Sequence, residues 1–389
     1  MFSDDAPLAG LRIIEVSSFV AAPLGGMTLA QLGAEVIRID PLGGAPDTTR
    51  WPLAPNGGSL YWAGLNKGKR SVTLDLRSPD GQRAVADLLA GSGPDGGILL
   101  TNAGYPWLAY DALRDARPDL IHLRVTGKHD GSPAVDYTVN AGAGFPLATG
   151  DEATAGPVNH VLPAWDVACG LYAATGILAA ERHRRRTGAG RAITLALADV
   201  ALAVTGHLGF LAEGELSRSR PRIGNHLYGG FARDFRTKSG DSVMVVTLTA
   251  RHYADLARVT GRTGALAAVE RALGADFTQD GDRYAQREVI AALIAPWFAE
   301  HTTGEVAEAL GGTSVLWERY RTFAELAADP ETLANPMVGR IDQPGIGRIL
   351  ATGTPLAQPG TPQAPAPAPV LGADTDAVLG EARPGMVDL

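Results

Sequence analysis

Short apolar segments rich in branched side chains recur along the first third of the chain, with helix-forming stretches between them. LRIIEV spans 11–16, EVIRID 35–40, RSVTLDL 70–76, GGILLTN 96–102 and DLIHLRVTG 119–127. Runs of this length and composition read as strands buried on both faces. Pro23 opens a helix after the first strand, and Gly33 supplies a glycine at its end. PDGQRAVADLLAGS, after the third strand, reads as another helix. This β-α-β-α order predicts a mostly parallel sheet with helices on both faces. Such sheets bind ligands at the carboxyl ends of their strands. Those ends hold 16–20, Asp40, Asn102 and 126–128.

A dinucleotide site is the first test of that pattern. The turn after the first strand, SSFVAAPLGGM, lacks the G-x-G-x-x-G spacing that brings a backbone against a pyrophosphate. Asp40 stands where a ribose-binding acid would lie, but without the glycine turn it reads as a polar strand end. A net charge of −8 disfavours nucleic acid and anionic membranes as partners. The single cysteine, Cys169, excludes an intrachain disulfide and a multi-cysteine zinc site, and it fits a cytoplasmic protein. No metal centre is expected. MFSDDAPLAG has no apolar core and does not read as a signal peptide, and no apolar run is long enough to span a bilayer.

VLPAWDVACGLYAATGILAAERHRRRTGAG covers 161–190. Val167, Leu171, Ala174 and Leu178 fall on one apolar helical face. RHRRR then places cations at the negative end of the helix dipole, as a solvated last turn before a glycine stop. Asp166 sits at the other end, between Trp165 and Val167. As an N-cap its carboxylate accepts backbone N–H bonds; as a reactive group it attacks a substrate. Local pattern leaves both open.

FARDFRTKSGDSVMVVTLT (231–249) reads as a hairpin around Ser239-Gly240-Asp241, followed by helical stretches near 253–260, 287–300 and 305–310. The expected organisation is a large domain over 1–215, a small α+β domain over 224–312, and a return to the large domain over 313–389. Within that return, PLAQPGTPQAPAPAPVLGADTDAVLGE is Pro/Ala-rich and reads as a stiff, extended surface segment.

Several landmarks then match one family in order: LAGLRIIEVSSFVAAPLGGMTLAQLGAEVIRID, LNKGKRSVTLDLRSPDG, DLIHLRVTGKHDG, DVACGLYAATGILAAERHRRRTGAGR and APVLGADTDAVLGE. On these the chain resembles the class III CoA-transferases, the family of formyl-CoA transferase, the carnitine-related CoA-transferases and α-methylacyl-CoA racemase. The resemblance covers nearly the whole chain. It implies an α/β fold: a Rossmann-like large domain, a small α+β domain, a C-terminal segment back in the large domain, and an interlocked homodimer. It also implies that Asp166 is the nucleophile, attacking an acyl-CoA thioester to form a mixed anhydride and a CoA thiolate. Helix N–H dipoles would keep the carboxylate charged while Leu162, Trp165 and Val167 limit water.

Within the family, Val135 in AVDYTV replaces the racemase histidine, and Ala21 replaces a glutamine of the formyl- and succinyl-CoA transferases. PVNHVLPAWD and IGNHLYGGFARDF, followed by VMVV, resemble the branch that moves CoA between the C1 and C4 carboxylates of 2-methylfumaryl-CoA (mesaconyl-CoA). Transfer between two separate acids is the alternative, and a non-catalytic CoA-binding protein would need Asp166 to be only a cap. The implied partners are an acyl-CoA thioester and a small dicarboxylate, with no cofactor beyond coenzyme A as part of the substrate. Candidate substrate contacts are Asn159, His160, Gly229 and Gly230; His160 reads equally as a buried structural histidine, and the glycines equally as a turn. Carried over by position, Val20, Ala21, Leu74, Arg77, Asn102, Thr126 and Gly127 would line the CoA path. Pro41 and Thr126 replace basic residues that meet the CoA phosphates, and Lys67, Lys69, Arg70 and Arg77 are the stand-ins.

Overall fold

The computed structural model describes residues 5–216, 220–356 and 363–381. The chain forms two compact units. The first gathers 1–143, 160–212 and 329–389, and the second gathers 144–159 and 213–328.

Six parallel strands build the first unit: β1 (Arg12–Val16), β2 (Glu35–Pro41), β3 (Arg70–Leu74), β4 (Ile98–Thr101), β5 (Ile121–Thr126) and β6 (Arg191–Ala196). Their order is 3-2-1-4-5-6, so the connections reverse direction between β1 and β4. On one face, Ile14, Val16, Ile37, Ile39, Val72 and Leu99 pack with Val85, Leu88 and Leu89 of helix Pro79–Ala90 and Val378 of helix Thr375–Glu381. The sixth strand is not legible in RAITLA. It is a largely exposed edge strand that runs into helix Leu197–His207 with no turn residue between them.

Helix Ala21–Gln31 lies on the opposite side from that packing and against the long helix Ala164–Thr187. The two approach through small residues. A Cβ on Gly170 would lie 2.7 Å from Ala21 O, and one on Gly25 would lie 3.0 Å from Gly170 O. The buried stripe of the long helix is therefore Trp165, Cys169, Gly170, Ala173, Ala174, Ile177 and Ala180. This corrects the expected stripe: Leu171 is half exposed, because only small side chains fit where the backbones nearly touch. Arg184 also departs from the expected solvated turn. It is buried, and its Nη1 donates to Gly96 O at 2.6 Å. Gly188, with φ +74°, closes the helix as expected.

The C-terminal segment is more than a surface strap. Ala368 is buried, and its backbone N–H and C=O pair with the Gln343 side chain. Further on, Asp374 and Thr375 accept the outward N–H groups of Ser71 and Thr73 on edge strand β3, at 2.8 and 3.0 Å. A hairpin of β10 (Val338–Gln343) and β11 (Gly347–Thr352) precedes it.

The second unit carries its own core. β7 (Phe231–Arg236), β8 (Ser242–Thr247) and β9 (Leu316–Arg319) form an antiparallel sheet. Gly240, at φ +87°, turns the expected hairpin. Phe231, Phe235, Val243 and Val245 pack with Leu256, Ile290, Ile294 and Phe298 from the helices around them.

The helix contact in the first unit gives a direct test. Ala at a helix position is worth about 1 kcal/mol over Gly, but at Gly170 the added methyl meets backbone, and overpacking costs about 1–3 kcal/mol. Gly170→Ala should therefore lower the thermal midpoint. Gly176→Ala, whose methyl would meet only side-chain tips, Leu123 at 3.1 Å and Ile193 at 4.0 Å, should leave the midpoint unchanged or raise it. Equal midpoints for the two variants in thermal melts would contradict this packing account.

Candidate active site

The reversal between β1 and β4 opens a crevice at the carboxyl ends of the strands. The turn after β1 lies there. Phe19 has φ +67°, the only positive value for a non-glycine residue among those described. Side chains hold this turn from both sides. Asn102 accepts from Ser18 N at 3.0 Å and donates to Ser18 O at 2.8 Å. Asp47 accepts from Phe19 N at 3.1 Å. Val20 and Ala21 are buried where the first helix begins.

Beneath the turn is a buried polar cluster. Arg38 donates to Asp40 and Asp47 and to Asn66 Oδ1. Lys69 donates to Glu15, Pro23 O and Asn66 Oδ1, each within 2.9 Å. Burial, opposed by Glu15, pushes the Lys69 ammonium down to about 8. Asp40 is committed to Arg38, so it offers nothing to a ribose.

These contacts sort the CoA candidates. Lys69 is sealed in the interior and is not a phosphate partner. Arg70 begins β3, at the amino edge of the sheet, and pairs with Glu35 and Glu381. Lys67 is buried, with Nζ on Gly64 O. Arg77 remains: it is exposed, just past the carboxyl end of β3, where Leu74 is buried. Thr126 ends β5 with its hydroxyl on Lys128 O. A Cβ on Gly127 would lie 2.2 Å from Ala134 N, so that glycine admits the passing chain.

Asp166 is the third residue of its helix, and the N-cap position belongs to Pro163. The cap reading is thus corrected, because the capping carboxylate comes from elsewhere. Asp136, first residue of helix Asp136–Gly142, accepts from Trp165 N at 2.8 Å and Asp166 N at 3.1 Å. These are the donors an N-cap side chain satisfies. The Oδ1 atom of Asp136 is buried with no hydrogen-bond partner. These helix N–H groups are therefore spent on Asp136, and they do not hold the Asp166 carboxyl below its usual value. Burial, then the charge of Asp136, raise the Asp166 carboxyl from 3.8 to about 6, with Arg50 opposing. One turn on, burial and Asp166 push the Cys169 thiol up to about 12, so it is no rival nucleophile.

His160 serves the scaffold. Its Nε2 meets Asn140 Oδ1 at 3.0 Å, and Trp165 Nε1 donates to the same oxygen at 3.1 Å. Its Nδ1 is buried and has no hydrogen-bond partner. Asn159, Gly229 and Gly230 belong to the second unit. Asn159 is exposed. Gly229 turns the chain at φ +80°, and Gly230 N donates to Leu227 O at 3.4 Å within that turn.

The sequence did not single out Asp136, Asn140, Arg50 or Tyr61. Each acts through a partner distant along the chain, and local pattern carries no sign of that. Among the described residues, no group of three or more His, Cys, Asp or Glu is placed to hold a metal ion. No described helix is long and apolar enough to cross a membrane.

Comparison with known proteins agrees with the fold. The profile of CoA-transferase family III matches residues 8–375. The chain is 50% identical to the 2-methylfumaryl-CoA isomerase of Chloroflexus aurantiacus over 96% of its own length and 92% of that protein. It is 29% identical to the succinyl-CoA–L-malate CoA-transferase beta subunit of the same organism, over 98% and 95%. It is 28% identical to the succinyl-CoA:mesaconate CoA-transferase of Haloarcula hispanica, over 97% of each. A crystal structure of a CAIB/BAIF family protein from Brucella suis superposes with a TM-score of 0.80 at 25% identity, over 97% of this chain and all of that one. The six-stranded parallel sheet, the helices around it and the matched sequence place this chain in CoA-transferase family III.

Proposed function

We propose that this chain moves CoA between the C1 and C4 carboxylates of 2-methylfumaryl-CoA, with Asp166 as covalent nucleophile. The observation that carries the reading is the 50% identity, over nearly the full length, to a 2-methylfumaryl-CoA isomerase. The setting of Asp166 supports the chemistry.

A carboxylate raised to about 6 is largely ionised at neutral pH, yet more basic than an ordinary aspartate. Asp166 attacks the C1 thioester carbonyl; the C–S bond breaks, leaving a mixed anhydride and CoA thiolate. The thiolate attacks the Asp166 carbonyl, forming an aspartyl-CoA thioester and freeing the diacid. The C4 carboxylate then attacks that thioester and expels thiolate, and the thiolate takes the C4 acyl group and restores Asp166. Every intermediate is open to hydrolysis, so partial burial of Asp166 matters as much as its basicity. No group beyond coenzyme A enters the cycle. The interlocked homodimer remains part of this reading. The exposed Leu171, Tyr172 and Leu202 on the helices of the first unit are apolar surface that a second copy would cover.

Isotope-labelled free 2-methylfumarate added to the unlabelled thioester tests the intramolecular step. The C4 thioester should form from one substrate, with no label in early product, because the retained diacid reacts at high effective concentration. Label entering as fast as product forms, or succinate accepting CoA efficiently, would make this a two-substrate transferase.

Two carboxylate variants test the nucleophile. Asp166→Asn should reduce turnover roughly 10⁴–10⁶-fold. It should also stabilise the fold at neutral pH. A carboxyl whose folded value exceeds its unfolded one holds its proton more tightly when folded, so stability falls as pH rises from about 4 to 6. At about 1.4 kcal/mol per pKa unit, discounted for partial exposure, the variant should gain about 2 kcal/mol above pH 6 and nothing below pH 4. Asp136→Asn keeps a capping oxygen but removes the charge, so the acid limb of kcat/KM, expected near pH 6 in the native enzyme from the raised Asp166 carboxyl, should move to lower pH. An unmoved limb in Asp136→Asn would show that its charge does not act on Asp166.

A further inference from the structure

We propose that Arg50 binds the substrate carboxylate that does not carry CoA, holding the small diacid against Asp166. The assignment rests on the reading of the substrate as the monothioester of a diacid, and it adds a specificity residue to that reading.

Arg50 is exposed, yet held in place. Its guanidinium lies over the Phe19 ring at 5.3 Å and the Tyr61 ring at 5.0 Å. Ser59 Oγ donates to Arg50 O at 2.6 Å, and Arg50 N donates to Asp47 O at 3.2 Å, which fixes the backbone. The two rings brace the guanidinium, Tyr61 also hydrogen-bonds to it, and its remaining N–H groups keep the planar geometry that pairs with a carboxylate. The nearest acid along the chain, Asp47, is committed to Arg38. Among the described residues, no carboxylate forms an ion pair with Arg50.

Position supplies the rest. Phe19 comes two residues before Ala21, whose carbonyl oxygen touches Gly170, one turn beyond Asp166 on the same helix. The strained turn at Phe19 thus leads directly into the helix that packs on the Asp166 helix. Of the charges acting on Asp166, Asp136 opposes its ionisation and Arg50 favours it. An anionic diacid approaching two aspartates needs a compensating cation. The other candidates are engaged, since Lys69 and Arg38 lie in the buried cluster and His160 is held by Asn140.

The test is equilibrium binding by titration calorimetry in an Asp166→Asn background, where no turnover interferes. Two ligands are compared: 2-methylfumaryl-CoA, and tiglyl-CoA, in which a methyl group replaces the C4 carboxylate. With Arg50 present, the diacid thioester should bind about 10–100-fold more tightly. Adding Arg50→Gln should abolish that preference and leave tiglyl-CoA affinity and the thermal midpoint unchanged. Arg50→Lys should restore only part of it, lacking that planar geometry. The assignment is overturned if the background protein shows no preference, if Arg50→Gln keeps it, or if both ligands weaken equally. Because this reads binding alone, it stands apart from the labelling experiment: label entering product would sink the intramolecular reading and leave the role of Arg50 intact.

Discussion

Arg38 stands at the centre of a buried polar cluster that sets the geometry of the crevice. It bridges Asp40 on its own strand, Asp47 in the following loop and Asn66 at the end of helix Leu60–Leu65. Asn66 accepts in turn from Lys69, which pairs with Glu15 on β1. Gly26 makes room for that acid, because a Cβ there would lie 1.8 Å from Glu15 Oε2. Five charged side chains are thereby withdrawn from water, an arrangement that is stable only while every partner is present. Removing one member of a buried pair strands the other, at about 3–5 kcal/mol. What the cluster secures is position. Asp47 reaches the Phe19 amide, the segment after Asp47 carries Arg50, and the helix ending at Asn66 carries Tyr61. The three groups that form the cationic side of the site hang from one buried hub.

The acidic side follows a different logic. A helix N-terminus can stabilise one carboxylate well, and here Asp136 takes that place from another helix. Asp166 is then left beside an anion, partly buried, with its helix donors already used. A carboxylate so placed is destabilised in its charged form, and in the proposed cycle it would regain that energy by forming a neutral acyl bond. The same arrangement lowers the stability of the fold at neutral pH, which is the usual relation between a reactive group and the structure that holds it.

The five strands buried on both faces were legible because their composition is uniform and turns bound them. β6 was not, since an edge strand continuous with a helix carries no separate signal. The position of Asp166 on a helix end could be read from its neighbours. Its environment could not, because Asp136 lies 30 residues away and Val135, not the acid beside it, drew notice. Leu171 and Leu178 misled for a physical reason: helices that touch through glycine and alanine bury their smallest side chains and turn larger ones outward. Lys69 and Arg70, adjacent cations in sequence, point to different fates. One neutralises Glu15 inside the sheet, and the other joins Glu35 and Glu381 at its amino edge.

The bonds from Asp374 and Thr375 to β3 carry a consequence for biosynthesis. Ser71 and Asp374 are 303 residues apart. At ribosomal rates of about 5–20 residues per second, β3 emerges roughly 15–60 s before the residues that cover it. Through that interval the outward amides of Ser71 and Thr73 form an open strand edge, able to pair with any extended chain nearby. Closure of the first unit is thus a late, long-range event in the life of each new polypeptide. The nascent chain is most vulnerable to wrong pairing at the strand whose cover is made 303 residues later.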